Sequence, residues 1–461
     1  MKQRMLGALA GLAAWIAAPT PATAQNAIAI KGGKVVTMAG EPIVGGVVLI
    51  RDGKITEVGK DVQIPTEAKV IDATGKVVMP GFVDVHAPRG VEQSSERNSN
   101  TPFLSVIDAI DPGHEYFEEC RRNGVTTIAA VPGDDTMIGS QAAVIKTAGT
   151  YIDQMVLKRR FAIKISLKPT PDRSRMSQLV ALRKEFDAAK TFMEEEAERK
   201  AEGSKKKAGD DKKGEEKKEP PKAEEKKEEK KEAPKSEATN APPPASPVAT
   251  PQIDAIVKVL KGELKVYIYC ETAMDVPQAL KLINQYQLKA ILCLGPNCYK
   301  AANAAARSQL PIILDPTLVF WETDPRTGED KQIALPKIYK DANAKFAFQT
   351  TGFQGGNLFR AASLPPTVGT NYLWFQGATA VKYGVPETEV LQAMTTLPAK
   401  WLGVDSFVGT LEPGKDGDVV VMSGDPLKLA TWVETTLVNG AVVYERSKDK
   451  KLEQLLQPKK G

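Results

Sequence analysis

Histidine is nearly absent from this chain. Among its 461 residues there are two histidines, His86 and His114. A site that needs three or four imidazoles therefore cannot be complete here, whatever the fold. The sequence also has no G-x-S-x-G nucleophile elbow, and glycine pairs such as Gly32-Gly33 are typical of hairpin turns rather than of phosphate-binding loops.

Cysteine is also scarce. The chain has four cysteines, and none forms the C-x-x-C pair that is typical of a zinc site. Cys293 and Cys298 are close in sequence and could form a disulfide in an oxidising compartment. The alternative, which we favour, is that Cys120, Cys270, Cys293 and Cys298 are all small buried residues near strand ends.

Long apolar runs are missing beyond the first residues. Elsewhere no stretch approaches the ~20 apolar residues that a membrane-spanning helix needs. Lys2 and Arg4 precede an apolar run from Met5 to Ala18, and Ala22-Thr23-Ala24 is typical of a signal-peptide cleavage site. The pattern predicts that the mature chain is exported to the periplasm or the extracellular space. The run is too short for the alternative, a membrane anchor.

The net charge of +5 is small for this length and gives no reason to expect a nucleic-acid partner. Charged residues are concentrated in a segment of Lys, Glu, Ala and Pro at residues 196–250. This segment has no aromatic and almost no aliphatic residue, so it cannot bury enough surface to fold. We predict a disordered insert, preceded by an amphipathic helix over Met176 to Met193. An interaction with the cell envelope through this insert is a further hypothesis.

The two ends of the chain are rich in short strands and turns. Residues 25–79 contain an Asp52-Gly53 hairpin turn, and residues 406–447 contain an Asn439-Gly440 turn. Between them, apolar runs alternate with helix-like segments, as βα units require. Eight strand candidates match the number in a (β/α)8 barrel. They are Phe82–Val85 and residues 124–130, 142–146, 161–167, 265–270, 290–294, 311–314 and 345–349.

The segment Pro80-Gly81-Phe82-Val83-Asp84-Val85-His86-Ala87-Pro88 reads as a turn and a buried strand that ends in a histidine. It resembles the PGxxDxHxH signature of the amidohydrolase superfamily, and Gly409 to Val420 resembles that family's closing strands. The resemblance implies an α/β fold, a (β/α)8 TIM-like barrel plus a small β-sandwich domain built from both chain ends. The expected parts are a signal peptide (1–24), sandwich halves (25–79, 406–447), barrel segments (80–195, 251–405), a disordered insert (196–250) and a charged tail (448–461).

The resemblance also implies a metal site. Active members hold one or two metals with two histidines at the first strand, a carboxylated lysine or glutamate at the fourth, histidines at the fifth and sixth, and an aspartate at the eighth. The metal acidifies a water and the aspartate moves the proton. Here Asp84, His86 and Lys164 match that pattern. The departures are Pro88 for the second histidine, Tyr269 at the fifth strand, Leu294 near the sixth, and Thr350 or Thr351 at the eighth.

These departures predict an exported amidohydrolase-like protein without the usual metal centre and with a binding or scaffold role. The expected partners are a small-molecule ligand and either a second copy of the chain or an active relative, with no cofactor. The alternative is a hydrolase of dipeptide or non-peptide C–N bonds with a divalent metal such as zinc at an unorthodox site. Candidate carboxylates for that site are Glu271, Asp315, Glu322 and Asp324, and His114 is predicted to lie in a turn. The predicted pocket consists of Asp84, His86, Lys164, Tyr269, Glu271 and Thr351.

Overall fold

The computed structural model describes residues 27–210, 249–350 and 372–456, with side chains described up to residue 201 in the first range. The predicted signal peptide, most of the predicted insert and Thr351 lie outside the described residues. The described strands are β1 (Ala27–Val35), β2 (Ile43–Arg51), β3 (Lys54–Gly59), β4 (Lys69–Asp72), β5 (Val77–Pro80), β6 (Phe82–Ala87), β7 (Val125–Ala130), β8 (Ile138–Lys146), β9 (Val156–Ser166), β10 (Lys265–Thr272), β11 (Ala290–Asn297), β12 (Ile312–Leu314), β13 (Val319–Thr323), β14 (Asp330–Ala334), β15 (Phe346–Ala347), β16 (Val419–Met422), β17 (Val433–Val438) and β18 (Ala441–Glu445).

Eleven α-helices accompany these strands in the described ranges, and none is long and apolar enough to span a membrane. They are α1 (Glu115–Arg122), α2 (Ile152–Met155), α3 (Arg175–Asp210), α4 (Pro251–Leu260), α5 (Asp275–Tyr286), α6 (Ala302–Arg307), α7 (Leu335–Asp341), α8 (Leu373–Lys382), α9 (Glu387–Met394), α10 (Thr396–Leu402) and α11 (Lys450–Leu456).

The two ends of the chain form one eight-stranded sheet with the order β18-β17-β16-β5-β1-β2-β3, in which β4 also pairs with β1. Strand β16 from the C-terminal end lies antiparallel to β5, with Val419 opposite Pro80. The composite domain is therefore observed. Its hairpins use the turn chemistry that the sequence predicts, because Asp52 and Gly53 have φ angles of 47° and 81°, as a turn of this kind requires.

The second eight-stranded sheet is the barrel, and all eight predicted strands are present in the order β15-β12-β11-β10-β9-β8-β7-β6. Neighbouring strands are parallel except β8, which runs antiparallel to both β7 and β9. A parallel crossover needs a dozen or more residues, whereas seven residues without a helix join β7 to β8. The third strand therefore reverses direction, which differs from an ideal (β/α)8 barrel.

Buried ion pairs fix the barrel to the terminal sheet. Lys146, at the end of β8, has its Nζ 2.8 Å from Asp416 Oδ2 and 2.7 Å from Asp418 Oδ2. Its side chain is 1% exposed. Lys54 also pairs with Asp416, and although burial raises the pKa of Asp416, the two ammonium groups hold it below its usual value. The two domains are therefore joined through a desolvated charge network.

Two segments are more regular than the sequence predicts. Helix α3 continues to Asp210, well beyond the predicted end at Met193, because Lys, Glu and Ala are strong helix formers. Part of the predicted charged tail is helical, as α11.

The four cysteines are buried and free, so the Cys293–Cys298 disulfide is not observed. The thiol of Cys298 instead donates to the carbonyl of Cys270 at 3.1 Å.

Candidate functional site

The carboxyl ends of β6, β9 and β10 bring His86, Lys164 and Tyr269 together at one end of the barrel. Neighbouring parallel strands end at the same edge of a sheet, which is the face where barrels of this type carry their sites. The loop after β7 adds Asp134, and the segment after β15 adds Gln349. We call these five residues the barrel-mouth cluster.

Lys164 lies at the centre of the barrel-mouth cluster. Its Nζ is 2.7 Å from Nε2 of His86 and 2.6 Å from Oδ1 of Asp134. Its side chain is fully buried, and its ammonium lies 5.6 Å from the centre of the Tyr269 ring, within cation–π range. A single positive charge therefore links an imidazole, a carboxylate and an aromatic ring.

The environment of His86 fixes its protonation. Burial lowers the pKa of His86 well below its usual value, and the nearby charge of Lys164 lowers it further. The imidazole is therefore neutral, and Nε2 accepts a hydrogen bond from the ammonium of Lys164. The ring hydrogen then belongs on Nδ1, and the side chain of Gln349 is the other polar group that interacts with this ring.

Asp84 ties the two edge strands of the barrel together. One carboxylate oxygen accepts the backbone N–H of His86 at 3.0 Å. The other accepts the N–H of Thr350 at 3.1 Å and its hydroxyl, which also contacts the hydroxyl of Tyr116 at 3.2 Å. Burial raises the pKa of Asp84 to about 6 despite these bonds. Asp84 therefore joins β6 to the end of β15, between which no strand pairing exists in the described residues.

The expected metal-ligand positions do not present metal ligands. Pro88 has no side-chain donor atom, and Tyr269 is a neutral phenol because burial raises its pKa. Leu294 packs in the outer apolar cluster with the helices, whereas its neighbour Cys293 packs in the barrel interior. The prediction that Leu294 lies near the ligand position is therefore wrong, since its side chain faces outward and that of Cys293 faces the barrel interior.

Gly295 leaves no room for a ligand side chain. A Cβ atom there would lie 2.7 Å from the carbonyl oxygen of Glu271 and 3.2 Å from that of Cys270. Backbone atoms cannot move aside as a flexible side chain can, so a histidine at this position would require the two strands to shift. The sixth strand therefore offers no imidazole and no space for one.

The carboxylates proposed for an unorthodox metal site are not gathered. Glu271 pairs with Arg175 at 3.3 Å. Glu322 lies on the β13–β14 hairpin, bonded to Tyr299 and Lys300, and Asp324 caps that hairpin's turn. In residues 27–201, 249–350 and 372–456, no group of three His, Cys, Asp or Glu side chains is placed to hold a metal ion. The residues present do not fit the metal centre that the resemblance implies.

Sequence reasoning missed Asp134 and Gln349. Asp134 belongs to the Gly133-Asp134-Asp135 loop directly after β7, and a carboxylate at the carboxyl end of a barrel strand is a signal that could have identified it. His114 has a structural role, because its Nδ1 accepts the N–H of Tyr116 and caps α1. Thr350 is described and binds Asp84, whereas Thr351 lies outside the described residues.

Comparisons with known proteins agree with this architecture. The model of the amidohydrolase family matches residues 314–443. The amidohydrolase tasK of Hapsidospora irregularis is 24% identical over 443 residues, which cover 87% of this chain and 40% of that protein. A dihydroorotase of Anaeromyxobacter dehalogenans is 48% identical over 117 residues, which cover 23% of this chain and 22% of that protein. This chain thus spans less than half the length of both curated relatives.

A solved structure shares the fold over most of the chain. The crystal structure of an amidohydrolase from Thermotoga maritima has a TM-score of 0.68 and 24% sequence identity, with 91% of this chain and all of that chain covered. The family-model match begins at Leu314 and so covers neither His86 nor Lys164. The similarity therefore supports the barrel with its terminal sheet. The chemistry at the barrel mouth has to be inferred from the positions of the residues there.

Proposed function

We propose that the chain is an exported member of the amidohydrolase superfamily that has lost metal-dependent catalysis and acts by binding or as a scaffold. The observation that carries this proposal is the contact between His86 and Lys164. The one imidazole at the barrel mouth has its Nε2 bonded to an ammonium group, so the lone pair that would bind a metal is already used.

The rest of the mouth supports the same conclusion. The positions that would complete a metal site hold Pro88, the neutral phenol of Tyr269 and the crowded Gly295. A catalytic zinc takes three protein ligands and keeps a fourth position for water. In the part of the chain that the structure describes, no third ligand is placed so that it could share one metal ion with His86 and Asp134. A small-molecule ligand would instead meet polar groups fixed by the strands around Lys164.

Export and assembly are further parts of the proposal. Export rests on the sequence of residues 1–24. A barrel without its own catalysis can serve as a scaffold for a second copy of the chain or for an active relative. Mass determination of the mature chain at its native concentration separates a monomer from a homo-oligomer, and co-purification with an active barrel supports the mixed assembly.

A second candidate function, hydrolysis of amide bonds in dipeptides or small amides, has one observation in its favour. Burial raises the pKa of Asp315 to about 6, which is in the range that suits an acid or base near neutral pH. Asp315 interacts electrostatically with Asp134 and Tyr269, so it lies near the barrel-mouth cluster.

An activity assay separates the two candidates. The mature chain would be tested on amides, dipeptides, lactones and dihydroorotate, with added zinc and with a chelator. His86→Ala removes the mouth histidine, and His114→Ala is the matched control because His114 caps a helix. We expect no turnover in any of the three proteins. Turnover that His86→Ala abolishes and His114→Ala preserves would overturn the proposed loss of catalysis.

A further inference from the structure

The position of Lys164 distinguishes this mouth from one that holds a metal through a modified lysine. We propose that the unmodified ammonium of Lys164 is the resident cation of the barrel mouth and holds His86 and Asp134 as a metal ion would. This inference deepens the proposed function and rests on its premise that no metal is bound at His86. It attributes the absence of a metal at His86 to one residue, Lys164.

The distances fit an ammonium rather than a metal. Nζ of Lys164 lies 2.7 Å from the imidazole nitrogen and 2.6 Å from the carboxylate oxygen, so two electron-pair donors converge on one point. The first separation is typical of a charge-assisted hydrogen bond, and the second is that of a close ion pair. Bonds from zinc to nitrogen or carboxylate oxygen are shorter, about 2.0–2.2 Å. The distances from Lys164 Nζ to His86 Nε2 and to Asp134 Oδ1 are therefore those of an ammonium group and not of a bound zinc ion.

The charges also favour the ammonium over a carboxylated lysine. Carboxylation first requires the ammonium to lose a proton. The neutral amine then attacks carbon dioxide, an N–C bond replaces one C=O π bond, and a second proton is released, so a cation becomes a carbamate anion. At Lys164 that anion would face the carboxylate of Asp134 at the distance where the ammonium now pairs with it. Like charges at such a separation repel. The carboxylate of Asp134 therefore favours the unmodified lysine over the carbamate.

The surroundings complete the cation site. The ring of Tyr269 turns toward the ammonium, with 5.6 Å from its centre to Nζ, and stabilises the positive charge. The neutral ring of His86 accepts one N–H without adding charge of its own. A cation at this point is thus met by a carboxylate from the loop after β7, a lone pair from β6 and an aromatic face from β10.

A single substitution is expected to convert this cation site into a metal site. Lys164→Glu removes the ammonium and adds a carboxylate beside His86 and Asp134, which gives three protein ligands. Lys168→Glu is the matched control, because Lys168 pairs with Asp135 at 2.7 Å and its side chain is 36% exposed. The double variant Lys164→Glu/His86→Ala checks that any new metal is bound at the mouth.

Zinc binding would be measured by titration calorimetry on the wild type and on these three variants. Carboxylation would be measured on the wild type by ¹³C NMR in labelled bicarbonate with zinc present. We expect no carbamate signal and at least a 10- to 100-fold gain in zinc affinity for Lys164→Glu alone. A carbamate on Lys164, His86-dependent zinc binding by the wild type, or no gain in Lys164→Glu would each overturn the inference.

The outcomes are distinct from those that test the proposed function. If Lys164→Glu gains no zinc while the wild type is inactive and metal-free, this inference fails and the proposed loss of catalysis stands. If the wild type hydrolyses a substrate in the presence of a chelator, the proposed function fails and the cation assignment stands.

Discussion

Asp84 and Thr350, 266 residues apart in the sequence, are joined by two hydrogen bonds to one carboxylate oxygen. The first comes from the backbone N–H of Thr350 at 3.1 Å and the second from its hydroxyl. Because β6 and β15 are the two edge strands of the barrel sheet, this contact closes a seam that no described backbone pairing covers. The stability of the barrel should therefore depend on Asp84.

Replacing Asp84 by alanine should destabilise the fold. The change leaves the buried N–H groups of His86 and Thr350 without their acceptor, which costs about 2–4 kcal/mol. Urea denaturation of the purified variant measures the loss. Asp72→Ala is the control, because the exposed Asp72 binds the N–H and hydroxyl of Thr74 and its removal should change stability far less. Equal losses in the two variants would contradict a role for Asp84 at the seam.

The raised pKa of Asp84 predicts a particular pH dependence. Between about pH 4 and pH 6 the folded chain keeps a proton on Asp84 that the unfolded chain has lost. The free energy of unfolding therefore falls as pH rises through this window, by about 3 kcal/mol in total. His86 contributes with the opposite sign, since its lowered pKa reduces stability as pH falls below about 6.5.

The Asp84→Asn variant isolates that contribution. Its amide cannot ionise, so the fall in stability between pH 4 and pH 6 should be smaller than in the wild type, while the His86 contribution is shared by both proteins. Denaturant titrations at a series of pH values give the two curves. Parallel curves across this window would show that the pKa of Asp84 is not raised in the folded chain.

Lys146→Met should lower the free energy of unfolding, because it removes the ion pairs between the barrel and the terminal sheet. The substitution leaves the carboxylates of Asp416 and Asp418 buried without their shared cation, at a cost of about 3–5 kcal/mol. Lys54→Met is the control, because Lys54 binds the same Asp416 with a side chain that is 49% exposed, and its loss should cost less than about 1 kcal/mol. Similar values from chemical denaturation would argue against a buried network.

Gly295→Ala tests the claim that the sixth strand has no room for a ligand. A Cβ atom 2.7 Å from the carbonyl of Glu271 forces the strands apart, so we expect a loss of about 1–3 kcal/mol. Gly40→Ala, where a Cβ meets nothing within 4 Å, should stay within about 0.5 kcal/mol of the wild type. A neutral Gly295→Ala variant would mean that a larger side chain can be accommodated at this position.

The strands were predictable from the sequence because each barrel strand is a short apolar run between turn residues. The reversal of β8 was not, because it depends on the short connection from β7 rather than on the composition of the strand itself. The absence of metal-binding histidines at Pro88 and Tyr269 was also predictable from the sequence, because neither side chain has an imidazole. The expectation for Leu294 was wrong, because its side chain faces outward while that of its neighbour Cys293 faces the barrel interior.

The contacts inside the mouth were less predictable. Lys164 and His86 are 78 residues apart, and nothing local in either segment indicates that their side chains meet. Asp134 follows a strand whose neighbour runs in the unexpected direction, so its place beside Lys164 depends on the folded topology. Long-range side-chain pairing of this kind requires the three-dimensional structure.

The central claim is that His86 holds no catalytic metal, and the metal content of the purified chain tests it most directly. The mature protein would be produced in zinc-supplemented medium beside His86→Ala and His114→Ala, and each would be analysed by elemental mass spectrometry. We predict a metal content far below one ion per chain, equal in all three proteins. About one zinc per chain in the wild type and in His114→Ala, lost in His86→Ala, would contradict the account.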